Sequence, residues 1–151
     1  MGERVIVRQD NNFQTEFLAA DPLVPDEGAL EPVDSVHGLT PYGMLLAGLG
    51  SCTGIVLHTY AQYHDVPLES VELRISYDRV FTDDCEDCEN VDEYEELIEL
   101  EIALIGEELT KTDRTKLMAI SKHCPIHKML AHGISVQSTQ AEAGEGVPPR
   151  E

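Results

Sequence analysis

Residues 39–53 read LTPYGMLLAGLGSCT, and this stretch decides how the rest of the chain folds. Thr40 followed by Pro41 is a strong helix start, because a Thr side chain caps free N–H groups and Pro fits the first helical position. Apolar and small residues dominate the core of this helix, which runs to about His64 and stops before Pro67. A helix that is apolar on most sides must be buried. The few other elements of a 151-residue chain cannot enclose it, so we expect an intertwined homodimer that buries it between two copies.

Four further stretches predict β-strands, at residues 4–9, 13–20, 70–80 and 94–105. The last two alternate apolar and polar residues, which is the pattern of half-buried strands. The first two flank Asp10, Asn11 and Asn12, which favour a tight turn, so the N-terminus is predicted to form a β-hairpin. Residues 21–38 hold three Pro, two Gly and several acids, and they predict a loop with room for a short edge strand.

The C-terminal part of the chain predicts a second helix that is interrupted once. The helix begins near Thr112 and breaks at Pro125, because Pro disfavours helical geometry in the residue before it. It resumes and ends at Gly133. Ile134 and Val136 predict a last short strand. The predicted order is therefore β-β-α-β-β-α-β, an α+β fold.

Composition bounds the class of protein. The formal net charge is −19, from 29 acidic and 10 basic residues, which disfavours nucleic acid and anionic membranes as partners. Such a charge keeps a protein soluble and also suits a salt-rich cytoplasm. Because we find neither a signal peptide nor eighteen consecutive apolar residues, we expect a cytoplasmic protein. We predict a single domain over residues 1–139 and a disordered tail over residues 140–151.

The four cysteines, at positions 52, 85, 88 and 124, are the candidate functional residues. In a reducing compartment a cysteine is a small buried hydrophobe, a metal ligand or a reactive thiol. Cys52 lies in the middle of the apolar helix, where a simple core role fits it. Cys124 directly precedes Pro125, and the N–H groups freed at such a helix break favour a reactive thiol. Taken as single residues, both cysteines leave the core and the reactive interpretations open.

Two motifs about seventy residues apart resemble one known family. Residues 39–53 resemble the "G-x-T-P-Y-E-L-L-L-A-A-L-G-S-C-T" helix of the OsmC/Ohr family, the osmotically inducible and organic hydroperoxide resistance proteins. Residues 121–130, SKHCPIHKML, resemble its second signature, "C-P-[VI]-H-[RK]-x-L". Residues 77–80 also resemble the OsmC-like subfamily. The likeness covers the chain from the first hairpin to about residue 138, with the elements in the same order.

The resemblance implies an OsmC-like fold and a two-cysteine peroxidase. The fold would be a tight homodimer with two central helices wrapped by curved antiparallel β-sheets and with active sites where the subunits meet. By position, Cys52 would be the peroxidatic thiol and Cys124 the resolving thiol. No bound cofactor is implied, and an external dithiol would restore the pair. An apolar pocket around Cys52 would favour fatty or aryl hydroperoxides in oxidative-stress defence.

The chain departs from the family pattern where the thiol is activated. The characterised peroxidases of the family use an Arg from the first hairpin, held by a Glu near the start of the central helix. Here Gly43 occupies the Glu position, and the turn at residues 10–12 carries no Arg. Arg8 or Arg79, from either subunit, is the candidate replacement.

A zinc site is the first alternative to the peroxidase. Cys85-x-x-Cys88 and Cys124-x-x-His127 together form a Cys3His set with the spacing of a structural zinc site. Cys85 and Cys88 also fit a local redox pair that relays electrons to the Cys52–Cys124 disulfide. The surrounding acidic residues would raise the pKa of these thiols and slow their reaction. In the simplest interpretation, both cysteines are bystanders on an exposed acidic loop.

The second alternative is a non-catalytic OsmC-like protein that binds an apolar small molecule at the dimer interface. In such a protein Cys52 would react with peroxide no faster than a free thiol.

Overall fold

The computed structural model describes residues 2–20, 29–81 and 94–142. Five strands and three α-helices follow one another in the order β-β-β-α-β-β-α-α, with one 3₁₀ turn at Val36–Gly38 before the first helix. The strands are β1 (Glu3–Asp10), β2 (Thr15–Ala19), β3 (Glu31–Pro32), β4 (Ser70–Phe81) and β5 (Tyr94–Ile105). The α-helices are α1 (Pro41–Tyr63), α2 (Lys111–Ser121) and α3 (Pro125–His132).

The predicted N-terminal hairpin is present and is closed by its turn residues. The Asp10 carboxylate accepts hydrogen bonds from the backbone N–H groups of Asn12 and Gln14, at 2.9 and 3.0 Å. Phe13 adopts a positive φ of 63°, which lets the chain reverse within the turn. The short edge strand expected between hairpin and helix is β3, which pairs with the end of β2.

All pairings in the sheet are antiparallel, and the strand order is β3-β2-β1-β4-β5. Because side chains alternate along a strand, one face of β1 and β4 carries the buried residues. Val7 is paired with Leu73, and Val5 with Ile75, and all four side chains are almost fully buried. This face of the sheet forms one wall of the core.

Helix α1 packs across that face. The Thr40 hydroxyl accepts a hydrogen bond from the Gly43 N–H at 3.0 Å, which confirms the predicted helix start. Gly50 lets the helix approach the sheet closely, since a Cβ there would come within 2.6 Å of Val7 Cγ2 and 2.7 Å of Ile75 Cδ1. The opposite side of α1 remains exposed within one subunit, where Met44 and Ile55 are 44% and 46% exposed.

The second predicted helix is two helices with a break between them. Thr110 and Asp113 form a reciprocal capping box at the start of α2. The break before Pro125 separates α2 from α3, and Cys124 is the N-cap residue of α3. Both helices pack on α1, and Gly133, with a positive φ of 81°, ends α3 as predicted.

One sequence prediction about the architecture is wrong. The last strand at Ile134 and Val136 does not form: these side chains are 67% and 81% exposed, and no strand among the described residues lies beside them. The α+β class with an antiparallel sheet is confirmed, with three α-helices in the described residues. The arrangement of two central helices wrapped by sheets was predicted for the homodimer and stays a prediction. Residues 143–151, most of the predicted tail, lie outside the described residues, so the domain bounds stay a prediction.

By length and composition alone, α1 passes a test for membrane-spanning helices, with a mean hydropathy of 1.3 over 18 residues. Half of that window is buried in the fold, as in the core helix of many globular proteins. The result is therefore weak evidence for a membrane span.

Candidate functional site

The two cysteines singled out by sequence, Cys52 and Cys124, lie side by side. The Cys52 thiol is within hydrogen-bonding distance of the Cys124 thiol, and both residues are free cysteines. Cys124 is fully buried, whereas Cys52 is half-buried. The fold thus brings together two thiols that are 72 positions apart in the sequence.

Local structure explains how the thiols meet. Cys52 lies in the middle of α1, and α3 packs against the same helix. Pro125 forces the chain out of helical geometry at Cys124, which has φ −60° and ψ 124°. The backbone N–H of Ile126, in the first turn of α3, also donates a hydrogen bond to the Cys52 thiol. The break in the helix therefore supplies Cys52 with a second thiol and a backbone N–H group.

The environment of Cys52 favours the neutral thiol. Burial is the main cause that raises its pKa, and the hydrogen bond to Cys124 raises it further. The hydrogen bond from the Ile126 N–H acts in the opposite direction but is the smaller influence. Within the described part of one chain, no cation contributes to the pKa of Cys52. The predicted activation by an arginine is thus not present around this thiol in a single subunit.

An apolar cavity of about 360 Å³ lies between α1, α3 and the strands β4 and β5. Its lining residues are Tyr42, Leu45, Leu49, Tyr77, Glu96, Ile98, Leu100, His127, Leu130 and Ala131. Neither cysteine belongs to this lining, but residues next to both of them do. Leu49 lies one helical turn before Cys52 on the same face of α1, and His127 follows Ile126 directly.

The outer end of the cavity is polar. The rings of Tyr42 and Tyr77 stack with their centroids 4.7 Å apart. Arg79 donates hydrogen bonds to both hydroxyls, at 2.6 Å to Tyr42 and 3.2 Å to Tyr77. The Tyr77 hydroxyl in turn donates to Glu96 Oε1 at 2.9 Å. These four residues form the Tyr–Arg cluster, which holds the first turn of α1 against the sheet.

The two arginines proposed to replace the thiol-activating arginine of the family, Arg8 and Arg79, lie in different surroundings. Arg8 pairs with Glu72 at 2.8 Å and with Glu16 at 3.7 Å. Its neighbours Val7 and Gln9 point into the core, so Arg8 lies on the opposite face of the sheet from α1. Within one subunit Arg8 therefore cannot reach Cys52.

Arg79 lies on the helix side of the sheet but at the far end of α1. Its partner Tyr42 precedes Cys52 by ten residues, which corresponds to about 15 Å along the helix axis. Arg79 therefore borders the cavity mouth, and within one subunit it does not act on the thiol.

The structure describes only two of the four residues proposed as zinc ligands. Cys124 and His127 lie one turn apart at the start of α3, whereas Cys85 and Cys88 lie outside the described residues. Within residues 2–20, 29–81 and 94–142, no group of three or more His, Cys, Asp or Glu could hold a metal ion. The Cys3His set and the Cys85–Cys88 redox pair both stay hypotheses.

Sequence reasoning missed two features of the site. The Ile126 N–H donor had a signal in the Cys124–Pro125 pair, because a helix starting at Pro leaves its first N–H groups free. The Tyr–Arg cluster had none, since only the fold brings the first turn of α1 beside the end of β4.

Comparisons with known proteins agree with this fold. One solved structure, an OsmC-like hydroperoxide resistance protein from Jannaschia sp. CCS1, matches 95% of each chain with a TM-score of 0.56. Its sequence identity is 14%, so this likeness shows the fold alone. Among curated proteins, no sequence matched the chain. The family model for OsmC-like proteins matches residues 33–139, well over half of the 151 residues, and it includes both cysteines. This match confirms the resemblance found in the sequence: the chain belongs to the OsmC-like protein family.

Proposed function

We propose that this protein is a thiol peroxidase that reduces organic hydroperoxides through Cys52 and Cys124. The observation that carries the proposal is the contact between the two thiols. An apolar cavity lined by residues of the same two helices, α1 and α3, supports it. A structural cysteine in a helix core needs no second thiol within hydrogen-bonding distance. The solved relative is itself named as a hydroperoxide resistance protein, which agrees with the proposal.

The reaction uses the two thiols in turn. The Cys52 sulfur attacks the distal oxygen of ROOH, so that an S–O bond forms, the O–O bond breaks and ROH leaves. Cys52 is thereby oxidised to a sulfenic acid and the peroxide is reduced. The Cys124 thiol then displaces water from the sulfenic acid and forms the Cys52–Cys124 disulfide. An external dithiol reduces this disulfide by thiol–disulfide exchange and restores both thiols.

The cavity argues for substrates with an apolar body. Leu45, Leu49, Leu100 and Leu130 contribute much of its lining. Burying an alkyl chain against such side chains is worth about 0.8 kcal/mol per methylene. Hydrogen peroxide gains nothing from these contacts, so alkyl and aryl hydroperoxides are the expected substrates.

We also propose that the working unit is a homodimer that covers the exposed side of α1. Met44, Leu45, Ile55 and Tyr63 are exposed apolar residues on this helix. Their spacing places them along one side, together with the half-buried Cys52. A contiguous apolar surface of this kind marks an interaction site. A second copy packed there would shield the thiol from water and would complete the site.

Steady-state kinetics test the proposed activity. Reduced protein is mixed with an external dithiol and with either cumene hydroperoxide or hydrogen peroxide, and loss of peroxide is followed. We expect faster consumption of cumene hydroperoxide, and we expect Cys52→Ser to abolish it. Turnover of cumene hydroperoxide at the rate of the dithiol alone would contradict the proposal.

A non-catalytic binding protein is the second candidate, and the raised pKa of Cys52 favours it. It predicts saturable binding of an apolar ligand without any peroxide consumption. Isothermal titration with the alcohol product, cumyl alcohol, combined with the kinetic assay separates the two functions.

A further inference from the structure

The pKa of Cys52 is raised, so a peroxidase built on it needs a group that removes the thiol proton. The leaving oxygen of an alkyl hydroperoxide needs a proton in the same step, because an alkoxide is a poor leaving group. Arg8 lies on the far face of the sheet, and Arg79 is held by tyrosine hydroxyls at the cavity mouth. Within the described part of a single subunit, neither Arg8 nor Arg79 can therefore transfer this proton, and another side chain must do so.

His127 lies next to a residue that contacts Cys52. Its side chain lines the cavity, and it directly follows Ile126, whose N–H group is hydrogen-bonded to the Cys52 thiol. Consecutive Cα atoms are about 3.8 Å apart, so the His127 backbone starts one residue from that hydrogen bond. His127 is half-buried, and its ring has no hydrogen-bond partner among the residues that the structure describes.

The other polar residues of the cavity are less suited to this task. Tyr42, Tyr77 and Glu96 belong to the Tyr–Arg cluster at the outer end. A tyrosine hydroxyl ordinarily titrates near pH 10 and a glutamate near pH 4, whereas an imidazole exchanges protons near neutral pH. Among the residues that line the cavity, His127 alone combines this chemistry with a sequence position next to Ile126, which contacts Cys52.

We propose that His127 is a further catalytic residue, which carries the proton from the Cys52 thiol to the leaving oxygen of the hydroperoxide. This inference rests on the proposed peroxidase function. The neutral imidazole takes the thiol proton as the S–O bond forms, and it returns that proton to the departing alkoxide as the O–O bond breaks. The balance is Cys52–SH plus ROOH to Cys52–SOH plus ROH, so the histidine ends the step unchanged.

The test compares two oxidants that differ in their need for a proton. An alkyl hydroperoxide releases an alkoxide, whereas a peroxyacid releases a carboxylate that leaves without protonation. Single-turnover oxidation of Cys52 is measured by stopped flow for the wild type and for His127→Asn. His132→Asn is the matched control, since His132 is an exposed histidine on the same helix and does not line the cavity.

We expect His127→Asn to slow the reaction with the alkyl hydroperoxide by about 10²- to 10⁴-fold. The loss with the peroxyacid should be at least about tenfold smaller, because only the deprotonation of the thiol is affected. His132→Asn should match the wild type with both oxidants.

Equal losses with the two oxidants would overturn the inference, because a merely structural role of His127 slows both reactions alike. An unchanged rate would overturn it as well. If instead the wild type reacts with both oxidants no faster than a free thiol, the proposed function itself fails, and this inference fails with it.

Discussion

The Cys52 thiol lies within hydrogen-bonding distance of the Cys124 thiol, which belongs to the N-cap residue of α3. The contact joins the middle of one helix to the start of another, so it depends on the break that Pro125 introduces. A disulfide requires two cysteines that lie close together in the fold, and this contact meets that first requirement. The proposed peroxidatic and resolving roles differ, so substitution of each cysteine can separate them.

Replacing each cysteine by serine should give different products. Cys52→Ser should lose hydroperoxide reduction at least about 10²-fold, because it removes the proposed nucleophile and leaves Cys124, which is fully buried. Cys124→Ser should still react once, but its sulfenic acid should persist and proceed to the sulfinic acid with excess peroxide. Intact mass spectrometry distinguishes the species by added oxygen atoms. Identical products from both variants would contradict the assignment of peroxidatic and resolving thiols.

The reactivity of Cys52 toward a simple alkylating agent should depend on pH in a defined direction. Burial and the hydrogen bond to Cys124 raise the thiol pKa above its ordinary value of 9.0. The thiolate fraction should therefore still be rising above pH 9, which peptide mapping after timed iodoacetamide treatment measures. Because Cys124→Ala removes the hydrogen bond that raises the pKa, its profile should move to lower pH. A wild-type midpoint below that of free cysteine would refute this description of the thiol.

Stability should fall in mild acid because of His58. This residue is fully buried on α1, and its Nε2–H donates to the Gln9 carbonyl oxygen at 3.1 Å. Burial lowers the pKa of His58 below 6.5, so the unfolded chain binds the proton more readily than the folded one. The contribution to the free energy of unfolding is thus complete above about pH 6.5 and is lost as the pH falls through the folded-state pKa.

Urea unfolding at pH 5.5 and 7.5 checks this prediction on three proteins. His58→Gln should show a smaller loss of stability between the two pH values than the wild type. His64→Gln, at the exposed end of the same helix, should retain the wild-type difference. An equal pH dependence in His58→Gln and the wild type would mean that His58 is not the responsible group.

The proposed dimer can be tested with two equally exposed apolar residues. Ile55 on the open side of α1 and Leu97 on β5 are both 46% exposed in a single subunit. Ile55→Glu should dissociate the dimer, because it buries a charge without a partner against the second copy. Leu97→Glu should leave the dimer intact, since it lies outside the proposed interface. Sedimentation velocity reads out both variants, and a monomeric wild type would contradict the proposal.

The sequence predicted α1 well because its signals are local. Thr40, Pro41 and the apolar run together favour a helix that starts at this point. Turn residues likewise located the hairpin that contains β1, and alternation located the long strands β4 and β5. The strand at Ile134 and Val136 failed for a non-local reason, since alternation describes a side-chain pattern and cannot supply a neighbouring strand.

The sequence predicted the two cysteines of the candidate site but not their surroundings, because the surroundings depend on contacts between distant residues. Two motifs identified Cys52 and Cys124, and the structure brings these residues together. Which arginine faces which surface depends on strand register, so Arg8 and Arg79 could not be separated before the sheet was known. The cavity beside His127 likewise arises only when α3 packs near β5.

The most direct test of the account maps the thiols after one equivalent of an alkyl hydroperoxide has reacted with the reduced, metal-free protein. Mass spectrometry should find a Cys52–Cys124 disulfide that forms faster than a free thiol is oxidised, and Cys52→Ser should not form it. Absence of reaction, or oxidation confined to Cys85 and Cys88, would contradict the peroxidase and favour a binding or metal-holding protein.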